Sequence, residues 1–386
     1  LVKYQYYLDP RTKKNCEVEE VIDFINRNRK ISRFFPDDFE GINLTPWKAR
    51  QINRFLHLPK GKYVKNFASF NFKMKNIIVW GKNKKTDQYI CKVDNFISVE
   101  DGFVRSVGLG GNLYPPYSLL FDKKGIHFDA SRKSNLEDLL QNRIVKKNEL
   151  NRSRKLIDLI IKLKISKYNL RFSNERRFPI NISKKNIIAV LGQVENDNSI
   201  IYGVPNDTIP KTNYDLVMQV KKDYPDAYII YKPHPDVDSG LRAKGKNELA
   251  INEIADFIAY ETPLEYILNK VQKVAVFTSL GGFEALIRGI SVITYGLPFY
   301  AGWGLTEDKL RNHDWAKRRT RILNLEELIF ISLIEYPFYN SLRFKCPLEI
   351  EHVIEELISS KNNKQTLEQT IFKYWGILKD RILISR

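Results

Sequence analysis

Short apolar runs and helical periodicities alternate along the chain, and the alternation changes character near its middle. Val18, Val21, Ile22 and Ile25 recur at the spacing of one helix face. Thr45 followed by Pro46 reads as a helix cap and first-turn pair, because the N–H that proline lacks is one a helix start leaves unbonded anyway. Three runs then read as buried strands bounded by turn residues: Asn76 to Trp80, Phe96 to Val99 and Ser118 to Phe121. Helical patterns over 135–142 and 149–164 close this half. The segment 167–185 is polar, basic and broken by Pro179, which places a domain boundary there.

Beyond it, strands expected over 186–190, 228–231, 274–277 and 292–295 alternate with helices over 214–222, 264–270 and 283–288. Such alternation predicts a parallel sheet flanked by helices, the doubly wound arrangement. Three more helical stretches follow, over 325–334, 349–359 and 367–383, and the sequence contains no internal repeat.

Composition narrows the picture. A chain of 386 residues suits two domains with a cleft between them, and 43% hydrophobic residues supply a core for each. No stretch reaches the roughly 18 to 20 uninterrupted apolar residues of a spanning helix, and the start lacks the pattern of a signal peptide, so a cytoplasmic address is expected. The chain begins at Leu1, as a processed chain or a module of a larger protein would. Cys16, Cys91 and Cys346 are scattered and odd in number, the pattern of reduced thiols and not of a disulfide framework or zinc site. A formal net charge of +18 favours an anionic partner, although a composition rich in Lys, Asn and Ile produces the same excess without one.

In open α/β sheets a ligand sits beyond the carboxyl ends of the strands, and four such places carry chemistry. Thr278, Ser279, Gly281 and Gly282 follow a strand and open a helix, where backbone can approach a phosphate and amides and hydroxyls can bind it; Glu284, one turn on, suits ribose hydroxyls. The same Gly-Gly turn also serves packing alone. His234 stands between Pro233 and Pro235 beside Lys232, a rigidly aimed imidazole suited to protonating a departing phosphate. In the first half, Glu100 and Asp101 offer a nucleophile or base on a turn, and Arg105 the means to pair with a substrate carboxylate. Finally, the loop 295–304 carries Tyr300 and Trp303 among glycines, suited to stacking on a sugar or to packing on the next helix.

With these residues in order, the sequence resembles the KpsC type of capsule β-Kdo transferases, and most of all the C-terminal module of that two-module enzyme. The resemblance lies in VEDGFVRSVGLG at 99–110, GIHFDASRKSNLEDLL at 125–140, GQVENDNSI at 192–200, YKPHPDVDSGLRAKG at 231–245, TSLGGFEALIRG at 278–289 and YGLPFYAGWGLTED at 295–308. Collinear strings of this length are far more specific than a single short motif.

The resemblance implies an α/β, GT-B-like fold of two Rossmann-like domains with a central cleft. Residues 1–175 would form the acceptor-side domain, 185–345 the CMP-sugar-binding domain, and 346–386 C-terminal helices packing back on the first domain. It implies retaining transfer of Kdo, an acidic eight-carbon sugar, from CMP-Kdo as donor substrate, with neither a metal nor a cofactor. The acceptor would be an anionic glycan or a glycolipid primer of a surface polysaccharide. Peripheral contact with the inner membrane or with other capsule-synthesis modules is an expected association, and nucleic acid is not an expected partner.

By matching position, Asp101 would form a transient sugar adduct, with Glu100 and Arg105 beside it, and His234 would serve the leaving phosphate held by Lys232, Thr278 and Ser279. Gln193 and Glu195 lie at the next strand end with donor or acceptor in reach, their roles open. Leu191 stands where proline is expected, Asn198 where a small residue is, and Gly281 where other members often carry Thr or Ala. A transferase for another CMP-activated ulosonic acid of the sialic acid type is a second reading. A non-catalytic module binding anionic polymers is a third.

Overall fold

The computed structural model describes residues 7–9, 12–35, 39–56, 65–67, 75–82, 92–108, 114–169 and 186–362. The helix expected over 367–383, Cys91 and most of the expected linker lie outside these residues. A two-stranded hairpin, β1 (Tyr7–Leu8) and β2 (Asn15–Cys16), precedes the first long helix, Val18–Phe34.

The first sheet takes β3 (Glu40–Ile42), β4 (Lys65–Phe67), β5 (Asn76–Trp80), β6 (Asn95–Asp101) and β7 (Ser118–Asp122) from the first half. Strands β3 to β6 run parallel and β7 runs antiparallel to β6. Burial of Ile78, Ile97, Val99, Leu119 and Phe121 beneath Ile52 and Phe55 of the Pro46–Leu56 helix makes this sheet's core.

The second sheet is wholly parallel: β8 (Ile187–Leu191), β9 (Tyr228–Lys232), β10 (Phe257–Ile258), β11 (Lys273–Val276), β12 (Ser291–Thr294) and β13 (Glu307–Asp308), in the spatial order β10-β9-β8-β11-β12-β13. By order of occurrence this is the dinucleotide-fold arrangement, whose strand order reverses between β8 and β11. Every residue of β8 is buried because helices cover both faces of such a sheet. Ile187, Ala189 and Leu191 face one apolar cluster and Ile188 and Val190 the other. The Asn213–Asp223 helix closes the latter with Leu216, Val217 and Val220, and its start is fixed by reciprocal bonds of 3.1 Å between Thr212 and Asp215.

The chain then returns. After the Leu325–Ile329 helix and a π-helical stretch over Phe330–Glu335, β14 (Phe338–Asn340) adds antiparallel to β7, and β15 (Pro347–Leu348) adds to β14. Residues 338–340, which fall within the expected second domain, thus belong to the first sheet as β14. The Ile350–Asn362 helix follows β15, and just before and within its first turn Glu349 and Glu351 pair with Arg152 of the first half. Among the described residues no helix is long and apolar enough to cross a membrane.

One apolar cluster runs through both halves, from Phe103, Leu120, Leu136 and Leu156 to Val274, Phe283, Phe299 and Trp303. Phe103 of the first half stacks on Phe299 of the second with centroids 4.5 Å apart. Nearby, the buried Glu137 carboxylate accepts from Arg318 Nε at 2.8 Å and Arg319 Nε at 3.2 Å, joining the halves a second time. Removing one partner of such a pair leaves buried charge uncompensated. We therefore expect Glu137→Ala to lose about 3–5 kcal/mol in urea unfolding, and a loss under about 1 kcal/mol would show the network to be dispensable.

Candidate active site

The carboxyl ends of both sheets face one cavity of about 1200 Å³. Glu100 and Asp101 line it from the end of β6. Gly192 and Gln193 follow β8 into it, Lys232 and His234 end β9, and Thr278 and Ser279 follow β11. The crevice between β8 and β11 is where a doubly wound sheet exposes loop amides to a ligand.

Gln193 fixes that crevice. Its Oε1 accepts from Thr278 N at 2.8 Å, its Nε2 donates to Thr278 Oγ1 at 3.1 Å, and Thr278 Oγ1 in turn donates to Ser199 O at 3.1 Å. The side chain is therefore occupied in stapling two loops together. Ser279 caps the Leu280–Ile287 helix, its Oγ accepting from Gly281 N at 3.1 Å, so that the helix start opens on the cavity.

The two glycines differ. A Cβ on Gly282 would run into the Tyr300 hydroxyl, which donates to Ser279 O at 2.5 Å, so Gly282 serves packing beneath the loop. A Cβ on Gly281 would lie 2.5 Å from Leu191 Cδ1. The departures at 191 and 281 are one feature: the larger side chain at 191 fills the room a side chain at 281 would take.

His234 accepts a hydrogen bond from Asp236 N at its Nδ1, 3.1 Å away, which leaves the neutral ring's proton on Nε2. Burial holds its pKa below the usual histidine value, with Asp236 pulling the other way. Lys232 Nζ is 2.8 Å from Asp238 Oδ2, and burial lowers its pKa. On the opposite wall, Arg105 Nε lies 2.6 Å from Asp101 Oδ2, and Asp101 Oδ1 has no hydrogen bond among the described residues. Asp101 N donates to Glu100 Oε1 at 3.0 Å. Burial, and then the charge of Asp101, push the Glu100 carboxyl up to about 7.

Several sequence expectations need correction. Arg105 is 1% exposed and spent on Asp101 and on Ser106 Oγ at 2.9 Å, so it orients the carboxylate and does not reach a substrate. Tyr300 and Trp303 are fully buried, with Trp303 Nε1 donating to Phe299 O at 2.7 Å, so neither stacks on a sugar; Pro298 and Phe299 of that loop line the cavity instead. Glu195 is not among the lining residues; its oxygens accept from Asn213 N and Lys246 N, both at 2.8 Å, and anchor the loop around Gly245. Glu284 lines the cavity, but its Oε1 accepts from Lys167 N at 3.0 Å and braces the neighbouring segment.

From sequence alone that segment reads as linker. Lys167 and Tyr168 line the cavity, laced to the loop after Asp101: Lys167 O accepts from Arg105 N at 3.0 Å and Tyr168 O from Gly108 N at 2.8 Å. Burial works against the Lys167 charge, yet Tyr168, Asp101 and Glu100 together raise its pKa. The same ammonium is among the influences lowering His234.

Two facing Rossmann-like halves, with carboxylates on one wall and an imidazole beside a helix start on the other, define a GT-B-like cleft. The chain matches the family model described as "Capsule polysaccharide biosynthesis protein" over residues 75–339, and it belongs to that family. It is 36% identical over 371 residues to the capsule polysaccharide modification protein LipA of Neisseria meningitidis serogroup B, covering 94% of this chain and 51% of LipA, so that it spans about half the length of that relative. It is also 36% identical over 331 residues to the lipopolysaccharide-processing protein LpsZ of Rhizobium meliloti, covering 82% of this chain and 73% of LpsZ. Among solved structures it is similar to KpsC of Thermosulfurimonas dismutans. The beta Kdo 2,7 transferase matches with TM-score 0.66 and 34% identity over 84% of this chain and 100% of that one. The beta Kdo 2,4 transferase matches with TM-score 0.71 and 28% identity over 84% and 99%.

Gly281→Ala should cost about 1–3 kcal/mol by overpacking against Leu191. In a Leu191→Ala background that cost should fall by at least about 1 kcal/mol; strict additivity of the two changes in thermal unfolding would show the contact to be immaterial.

Proposed function

We propose that this chain transfers Kdo from CMP-Kdo to a glycan or glycolipid acceptor of a bacterial surface polysaccharide, with retention at the anomeric carbon. The observation that carries this reading is the convergence of Glu100, Asp101 and His234 on one cavity from two different sheets. The likeness to two structures described as beta Kdo transferases supports the choice of sugar.

In this reading the nucleotide lies in the crevice between β8 and β11, its phosphate at the start of the Leu280–Ile287 helix, where the positive end of the helix dipole favours an anion. Asp101 attacks the anomeric carbon and forms a carbon–oxygen ester while the bond from that carbon to the phosphate oxygen breaks and CMP departs. The Nε2 proton of His234 stabilises the departing phosphate by hydrogen bonding. The acceptor hydroxyl then attacks the same carbon from the opposite face, its proton passes to Glu100, and the Asp101 carboxylate is released. Two inversions restore the starting configuration. No step in this scheme calls on a metal ion or a cofactor.

Glu100 and Asp101 thereby divide the work between base and nucleophile. A carboxyl near 7 takes a proton far more readily than an ordinary glutamate, which suits a general base at neutral pH.

Asp101→Ala should lower transfer from CMP-Kdo by roughly 10⁴-fold or more while CMP still raises the melting temperature as it does in the wild type. Intact mass after incubation with CMP-Kdo should show an added sugar on the peptide containing Asp101. Full transfer by the alanine variant would remove the nucleophile from this scheme, and preference for CMP-sialic acid in direct competition would move the donor assignment.

With Glu100 as base, kcat/KM should fall as pH drops through about 7, where the carboxyl gains its proton. The Glu100→Gln variant should lose that acid limb along with most of its activity. A limb on the alkaline side instead would mean that the protonated form is the active one.

A further inference from the structure

A ulosonic acid brings its own carboxylate, attached to the very carbon that Asp101 would attack. Two anions approaching each other in a partly dry cavity repel, so a cation is required beside them. The sequence offers Arg105 for this task, and the fold withdraws it, buried and committed to Asp101.

Of the other cations lining the cavity, Lys232 is paired with Asp238 at 2.8 Å and Lys164 with Glu265 at 3.2 Å. Arg288 donates to the carbonyls of Glu284 and Ile165, at 2.9 and 3.2 Å. Arg242 is exposed, on the loop beyond His234. Lys167 is different: among the described residues its Nζ has no hydrogen bond or ion pair, its ring contact being Tyr168 at 5.4 Å. Its backbone is nevertheless held, the N–H by Glu284 and the carbonyl by Arg105 and Ser106 N–H groups at 3.0 and 3.3 Å. An ammonium on so firm a base, facing the cavity, has its charge sensed by Glu100 and Asp101 on one wall and by His234 on the other.

We infer that Lys167 binds the carboxylate of the donor sugar and holds the anomeric carbon between Asp101 and His234. The assignment rests on the proposed ulosonic donor. An ammonium is a compact point charge with three donors, able to serve a carboxylate without the fixed geometry of a guanidinium. Its position explains how Asp101 can approach an acid: the cation screens both negative groups at once. It also separates the two parts of the donor, since CMP alone carries no carboxylate and would not use this contact.

The test compares Lys167→Met and Lys167→Arg with the wild type, using CMP-Kdo for steady-state kinetics and CMP alone for calorimetric binding. Methionine should raise the KM for CMP-Kdo about 10- to 100-fold and leave CMP affinity within about twofold; arginine should restore part of the loss. Melting temperatures near the wild type's, with the arginine variant as a second check, separate this from misfolding. A wild-type KM in the methionine variant overturns the assignment, and an equal loss of CMP affinity moves the contact to the phosphate and overturns it as well. Absence of CMP-Kdo turnover by the wild-type protein sinks the donor reading itself, a result distinct from either.

Discussion

Everything at the cleft depends on how the turn after β6 crosses from one half to the other. Gly102 approaches Ser118 so closely that a Cβ would collide with its hydroxyl, and this tight passage turns the chain between Asp101 and Phe103. Asp101 is thereby left at the cavity while Phe103 enters the second half and stacks on Phe299. Arg105 then folds back to hold Asp101, and its N–H ties down Lys167. Five consecutive residues thus present a carboxylate, lock two domains and position a cation. A displacement of Phe103 would move the Asp101 carboxylate with it.

The charges follow from that geometry. Burial first and the charge of the adjacent Asp101 second raise the Glu100 pKa, while Arg105 Nε stands 2.6 Å from Asp101 Oδ2. His127, edge-on to Phe103 at 5.1 Å, is held neutral by burial first and Lys167 second, its pKa pushed down to about 3. Phe103, His127 and Phe299 pack against one another and line the cavity as one ring cluster. Fixed charges act more strongly against such a surface than in water.

The sequence made the strand ends legible, because apolar runs closed by Gly, Pro and polar residues mark both the strand and the point where it stops. That logic located Asp101, His234 and the Thr278–Gly282 turn. It failed where the direction of a side chain decides. Composition cannot say that Tyr300 points beneath Gly282 or that Arg105 turns inward, since both depend on a neighbour far off in sequence. Lys167 was hidden for the same reason: its partners are Arg105, Glu284 and the cavity, none of them local, and a basic stretch before Pro179 reads as linker. Strand β14 is three residues long and pairs with β7 across more than half the chain, a contact periodicity does not report.

The shared core also limits how the cleft can move. Interfaces between domains usually remain mobile when they are small and polar. Here Phe103, Phe283, Phe299 and Leu136 belong to one dry cluster, and separating them would expose side chains worth about 1.5–3 kcal/mol each. The Glu137 network adds a buried ionic cost to the same opening. Wide hinge opening is therefore expensive, and recognition must rest on a cleft already formed. A preformed cleft spends little on ordering when a ligand arrives, but it cannot adjust its walls to a mismatched one. The space divided between Leu191 and Gly281, at the point where the strand order reverses, is one such fixed feature of the wall.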